Sequence, residues 1–75
     1  MSQEILEENV TGKVKWFNSD RGFGFISRAG KPDCFVHYSA IQSDGYKSLV
    51  EGDVVEFDVT RGKKGVIAIN VMKIN

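Results

Sequence analysis

Cysteine, proline and histidine are nearly absent from the 75 residues, at one each. A single thiol cannot close an internal disulfide, and four-cysteine metal or haem clusters are excluded with it. Cys34 and His37 are too few for a structural zinc site, which takes four ligands. Three positions apart in an extended chain, they would also point to opposite faces. No metal or cofactor is expected. There is no excess of either charge, with ten Lys and Arg against ten Asp and Glu, which on its face argues against a basic nucleic-acid binder. No run approaches the roughly 20 apolar residues needed to span a bilayer, so no membrane is expected as a partner. The first residues place Glu4, Glu7 and Glu8 where a secretory signal would need a cationic start. The expectation is a cytoplasmic protein whose lone thiol stays reduced. No nucleophile–base or carboxylate pair converges, so no enzyme is expected. Gly22-Phe23-Gly24 opens like a dinucleotide loop, but Ser27 holds the third glycine position and no helix follows.

The neutral total hides a strong asymmetry. Residues 1–10 carry three acids and no base. Residues 11–38 carry Lys13, Lys15, Arg21, Arg28 and Lys31 against Asp20 and Asp33, a net of +3, and the remainder cancels. Six of the eight aromatics, Trp16, Phe17, Phe23, Phe25, Phe35 and Tyr38, fall in that basic stretch, leaving Tyr46 and Phe57 outside it. Rings interleaved with cations suit a single-stranded nucleic acid, whose bases stack and whose phosphates attract cations. A small β protein would also place rings in its core, and clustering alone does not separate the two.

Eight glycines interrupt the chain too often for long helices. Short β-branched and aromatic runs between them predict strands near 11–18, 22–28, 33–38, 53–60 and 66–73. Residues 28–32 and 61–65 read as hairpin loops, and Ser39-Ala40-Ile41-Gln42 has capping-box spacing for one helical turn. Five short strands fit a single all-β domain over residues 11–75, closed as a barrel that hides its edges. Residues 1–10 read as a mobile acidic leader that weakens anion binding. Alternation gives Ile26, Cys34, Val36 and Tyr38 one face, the natural core, and Phe23, Phe25, Phe35 and His37 the other. Val55, Phe57 and Val59 share a core face in the fourth strand. Four rings on the solvent side of one hairpin mark a binding surface. Trp16 is not decided by alternation, because a bulge would break the phase.

Lys15-Trp16-Phe17-Asn18, Arg21-Gly22-Phe23-Gly24-Phe25-Ile26 and Phe35-Val36-His37-Tyr38 strongly resemble the cold-shock domain family, the last two matching its ribonucleoprotein motifs. The likeness runs on through Ser39–Gln42 and Gly45–Leu49 to Glu51-Gly52, and covers about residues 11–73. It implies a five-stranded antiparallel barrel of the OB type that binds single-stranded RNA and DNA. Carried over position by position, it implies stacking by Trp16, Phe23, Phe25, Phe35, His37, Tyr38 and Tyr46. Backbone or base contacts would come from Lys15, Arg21, Asp33 and Lys64. It further implies RNA chaperoning in translation and transcription antitermination, often under cold stress. The protein is expected to be a monomer, the alternative being a dimer whose interface covers the same patch. Val66 stands where the family commonly has Pro, Ile67 where it has a polar residue, Tyr38 where Phe is common, and Cys34 where Val is usual. The competing readings are a protein-interaction module using the same patch and a regulator of duplex promoter DNA, which would need a groove-reading helix.

Overall fold

The computed structural model describes residues 4–42 and 48–74. Five strands, β1 (Ile5–Asn18), β2 (Phe23–Arg28), β3 (Lys31–His37), β4 (Val54–Arg61) and β5 (Val66–Lys73), close a barrel in the order β1-β2-β3-β5-β4. This is the all-β, five-stranded OB-type architecture expected. All neighbours are antiparallel except β3 and β5, which close the barrel through the parallel pair Phe35–Ile67. A second parallel bridge, Ile41–Val71, continues that seam.

The first strand begins at Ile5, six residues before the start that the sequence pattern predicts. Residues 5–10, assigned above to the leader, pair with the end of β4, setting Ile5 against Thr60 and Val10 against Phe57. A barrel whose first strand pairs on both sides needs this length. The half before Lys13 serves β4 and the half after it serves β2, with Lys13 itself opposite both Ser27 and Val54.

The core contains Ile26, Cys34, Val36, Val55, Phe57 and Val59, as period-two alternation requires, joined by Val14, Ile41, Leu49, Ala68 and Val71. Burial raises the Cys34 thiol above its usual range, which keeps it protonated and unreactive. Two bulges bend the strands around this core, each with an asparagine at φ 53°: Asn9 in β1 and Asn70 in β5. Asparagine tolerates that left-handed backbone better than most residues. Asp58 on β4 joins the two, accepting from the Asn9 backbone N–H at 3.0 Å and from Asn70 Nδ2 at 3.0 Å. These bonds hold its carboxyl below the usual range.

The helical turn differs from the capping-box expectation. A single 3-10 turn spans Tyr38–Ala40, capped by His37, whose Nδ1 accepts from the Ser39 N–H at 3.3 Å. The chain therefore leaves β3 one residue earlier than expected. Tyr38, which alternation groups with the core residues, stands on the surface.

Candidate nucleic-acid interface

The outer face of β1, β2 and β3 is set by one irregularity. The β1–β2 register runs Val14–Ile26 and then Trp16–Phe25, so Lys15 is an extra residue in β1. This bulge flips the phase that strict alternation could not decide. Val14 points into the core and Trp16, two residues later, points out with 39% exposure. Across the hairpin the pairs are Phe25–Phe35 and Phe23–His37. Four rings thereby form one surface cluster. Trp16 lies 5.8 Å from Phe23 and 5.4 Å from Phe25, while Phe35 lies 5.8 Å from each of those phenylalanines. Phe23 and Phe35 are near-parallel at 28°, and the other contacts are tilted or edge-on, the offset and edge-to-face geometries aromatic pairs prefer. His37 and Tyr38 extend the cluster as a second pair of rings, 4.6 Å apart.

Two glycines make this packing possible. Gly24 lies between Phe17 on β1 and Val36 on β3; a Cβ there would collide with the Trp16 carbonyl oxygen and lie 2.7 Å from Phe17 Cα. Gly22 sits at φ +78°, and a Cβ would lie 2.7 Å from Tyr38 Cδ1. Its carbonyl accepts from the Tyr38 N–H at 2.8 Å. Tyr38 is thus held directly over a residue that must have no side chain.

Beyond Phe25 and Phe35 the surface drops into an open cleft of about 580 Å3, lined by these two rings, Asp33, Lys64, Val66 and Ile67 among others. Lys63 also lines it, so both lysines of the β4–β5 loop reach the site. Lys63, Val66 and Ile67 are not among the expected contacts. What brings them in is the parallel Phe35–Ile67 pairing, a contact between distant strands with no local signature.

Of the expected contact residues, Lys15 and Asp33 pair with each other, Nζ to Oδ2 at 3.0 Å, with Lys15 largely exposed. Such a surface pair contributes little and yields readily to a phosphate. Arg21 follows β1, its backbone N–H donating to Asn18 Oδ1 at 3.0 Å, and its side chain is in no ion pair among the described residues. The structure therefore brings together Lys15, Trp16, Phe23, Phe25, Asp33, Phe35, His37, Tyr38 and Lys64 around one face and its bordering cleft. Tyr46 lies outside the described residues. Arg28, counted above among the cations of the basic half, is buried instead. Its guanidinium donates Nη1 to Glu7 at 2.9 Å and Nε to the Pro32 carbonyl at 3.0 Å. Lys31 donates to the same carboxylate at 2.9 Å. The Lys31 hydrogen bond, aided by Arg28, holds the Glu7 carboxyl below its usual range.

The sequence matches known proteins. The "cold-shock" DNA-binding domain matches residues 10–74. The chain belongs to the cold-shock domain family. It is 60% identical over 65 residues to a cold shock-like protein, CspB, of Bacillus cereus, covering 87% of this chain and 100% of that one. It is 61% identical over 62 residues to the cold shock protein CspC of Bacillus subtilis, covering 83% and 94% of the two chains. The cold shock protein CspA of Staphylococcus aureus is 59% identical over 63 residues, covering 84% and 96%. As a cold-shock domain, the chain is a nucleic-acid-binding protein and not an enzyme. No helix among the described residues is long and apolar enough to cross a membrane.

Proposed function

We propose that this cold-shock domain binds single-stranded RNA and DNA with low sequence specificity and acts as an RNA chaperone. The observation that carries the reading is the contiguous surface cluster of Trp16, Phe23, Phe25 and Phe35, each ring within 5.8 Å of two others. Rings gathered on the solvent side of a closed barrel contribute little to its core. They offer π-faces to any base, and each stacked base is worth about 1–3 kcal/mol. His37, Tyr38 and Tyr46 would add faces along the same path. Lys15, Arg21 and Lys64 would hold phosphates, and Asp33 would accept from a base edge.

Selectivity for single strands follows from geometry. A paired and stacked base has no free face, so only an unpaired strand uses the rings. Binding the open form pulls a folded RNA open by mass action, with no nucleotide hydrolysis. Low sequence specificity follows because every base has a face to stack. Such an activity in the cytoplasm would keep transcripts accessible in translation and transcription antitermination, and would matter most in the cold, where RNA hairpins are more stable. A groove-reading regulator of duplex DNA needs a recognition helix, whereas the only helical element among the described residues is one 3-10 turn.

Trp16 reports on the site from within it. Titration with an unstructured pyrimidine strand, a purine strand and a duplex of equal length should quench its fluorescence with the two single strands and much less with the duplex. Equal quenching by the duplex would refute the stacking reading. Three or four phosphate contacts give a log–log salt slope of about −2 to −3 for a single strand. A slope near zero combined with absent quenching would favour a protein-interaction surface.

A further inference from the structure

Glu7 stands outside residues 10–74, those matched to the cold-shock domain. It sits on the part of β1 whose register with β4 sets it opposite Val59. Both of its carboxylate oxygens are engaged at the tip of the β2–β3 hairpin, Oε2 by Arg28 and Oε1 by Lys31, each at 2.9 Å. Arg28 is fixed there, its side chain only 5% exposed, while Lys31 is more than half exposed. The same segment places Glu4 3.7 Å from Arg61, and its backbone carbonyl accepts from the Thr60 hydroxyl. Glu4 and Glu7 thus sit on particular cations of the barrel, while Glu8 enters no ion pair among the described residues.

The position of those cations gives the arrangement a consequence. Lys31 lies four residues before Phe35 along β3, about 13 Å of extended chain from the ring cluster. A single strand held by the rings has no need to reach it. A duplex, whose bases are hidden, is held only by its phosphates and settles wherever unpaired cations are available. Building on the single-strand reading above, we infer that Glu7 is a selectivity residue. Pinned by the buried Arg28, a partner to which Asp33 beside Lys15 has no counterpart among the described residues, its carboxylate stays on Lys31 and removes a phosphate foothold from double-stranded nucleic acid while leaving the stacking surface open. This is discrimination by withholding a contact from the wrong partner.

The test compares Glu7→Gln with Glu8→Gln, which removes the same charge from the same segment but breaks none of the ion pairs among the described residues. Binding of a labelled single strand and of its duplex is followed by fluorescence anisotropy across a salt series. Glu7→Gln should raise duplex affinity about threefold at 50 mM salt and steepen the duplex log–log slope by about 0.9, one added phosphate contact. Its single-strand affinity should move less, and Glu8→Gln should change neither. Lys31→Gln should be silent in the native chain and should cancel the gain in the Glu7→Gln background. Equal duplex gains from Glu7→Gln and Glu8→Gln would overturn the inference, leaving bulk charge as the cause. So would a loss of duplex affinity from Lys31→Gln alone, a result that does not depend on how well Glu7→Gln folds. If the native chain failed to bind the single strand at all, the functional reading above would fall and this inference with it.

Discussion

Replacing Phe35 with alanine removes the ring that joins the aromatic cluster to the cleft, and its cost divides between folding and binding in proportions the structure sets. Phe35 is on the outer face of β3, half-buried, with Phe23 and Phe25 each 5.8 Å away. Losing two ring–ring contacts at about 0.5–1.5 kcal/mol each lowers stability by about 1–3 kcal/mol. A 75-residue domain has about 4–11 kcal/mol in total, so the variant stays largely folded in the cold. Binding loses one stacked base, about 1–3 kcal/mol, which is about 5- to 150-fold in Kd. The assay is Trp16 quenching by a pyrimidine oligonucleotide at 10 °C, with a thermal melt of the same sample to confirm that it is folded. A folded Phe35→Ala protein whose affinity changed by less than twofold would show that the ring belongs to the architecture and not to the interface. An equal loss of duplex and single-strand affinity would refute the stacking argument in another way, since a duplex has no base to lose from that ring.

Phe57→Ala should behave in the opposite sense: its ring is 1% exposed in the core, so the cost of about 3–5 kcal/mol falls on folding. Its melt should fall by about 12–40 °C in a calorimetric or circular dichroism scan, and a melt within a few degrees of the native chain would contradict the core assignment. Gly22→Ala imposes a side chain at φ +78° and against the Tyr38 ring. The left-handed backbone alone costs about 1–2 kcal/mol, about 4–16 °C in Tm for a domain of this size, and an unchanged Tm would show that the turn accepts a side chain at no cost. Asp58 has its carboxyl lowered from an ordinary value of 3.8, first by the Asn9 N–H and then by Asn70. Above that value both folded and unfolded chains are charged and the stabilisation is complete; as pH falls through the lower native value the unfolded chain takes up the proton first and stability is lost. Asp58→Asn should therefore melt lower at pH 7 and lose less of its Tm between pH 4 and pH 2 than the native chain does.

The parts of this fold that are legible in the sequence are those governed by local rules. Period-two alternation assigns Ile26, Cys34, Val36, Val55, Phe57 and Val59 to the core, and all six are buried. It assigns Phe23, Phe25, Phe35 and His37 to the opposite face, and none of these joins the core. Trp16 is beyond its reach because the answer depends on whether Lys15 is bulged, and a bulge reflects strain shared between paired strands rather than a property of one. Tyr38 is misplaced by the same rule, since alternation holds only within a strand and the His37 cap ends β3 just before it. The cleft is invisible for a third reason. Phe35 and Ile67 are 32 residues apart and meet only when the barrel closes, so nothing near either residue announces the other.

The balance of charge is where chain-wide arithmetic and local geometry disagree most. Read as a sum, ten bases against ten acids suggests indifference to polyanions. The ion pairs show a division instead. Arg28 and Lys31 are held by Glu7 at the hairpin tip, and Arg61 lies beside Glu4. Lys13, Arg21, Lys63 and Lys64 enter no ion pair among the described residues, and the exposed Lys15 is held only by the half-buried Asp33. Lys63 and Lys64 border the cleft and Lys15 adjoins Trp16. Lys15, Lys63 and Lys64, beside the rings and the cleft, are thus free or easily freed, whereas Arg28 and Lys31 at the hairpin tip are held by Glu7. A surface arranged in this way gains phosphate contacts only where a strand is already stacked, so the ionic and stacking contributions should rise and fall together. Removing a ring such as Phe35 should then flatten the salt slope as well as weaken binding. If that variant kept the native slope, its phosphates would be held somewhere other than beside the rings.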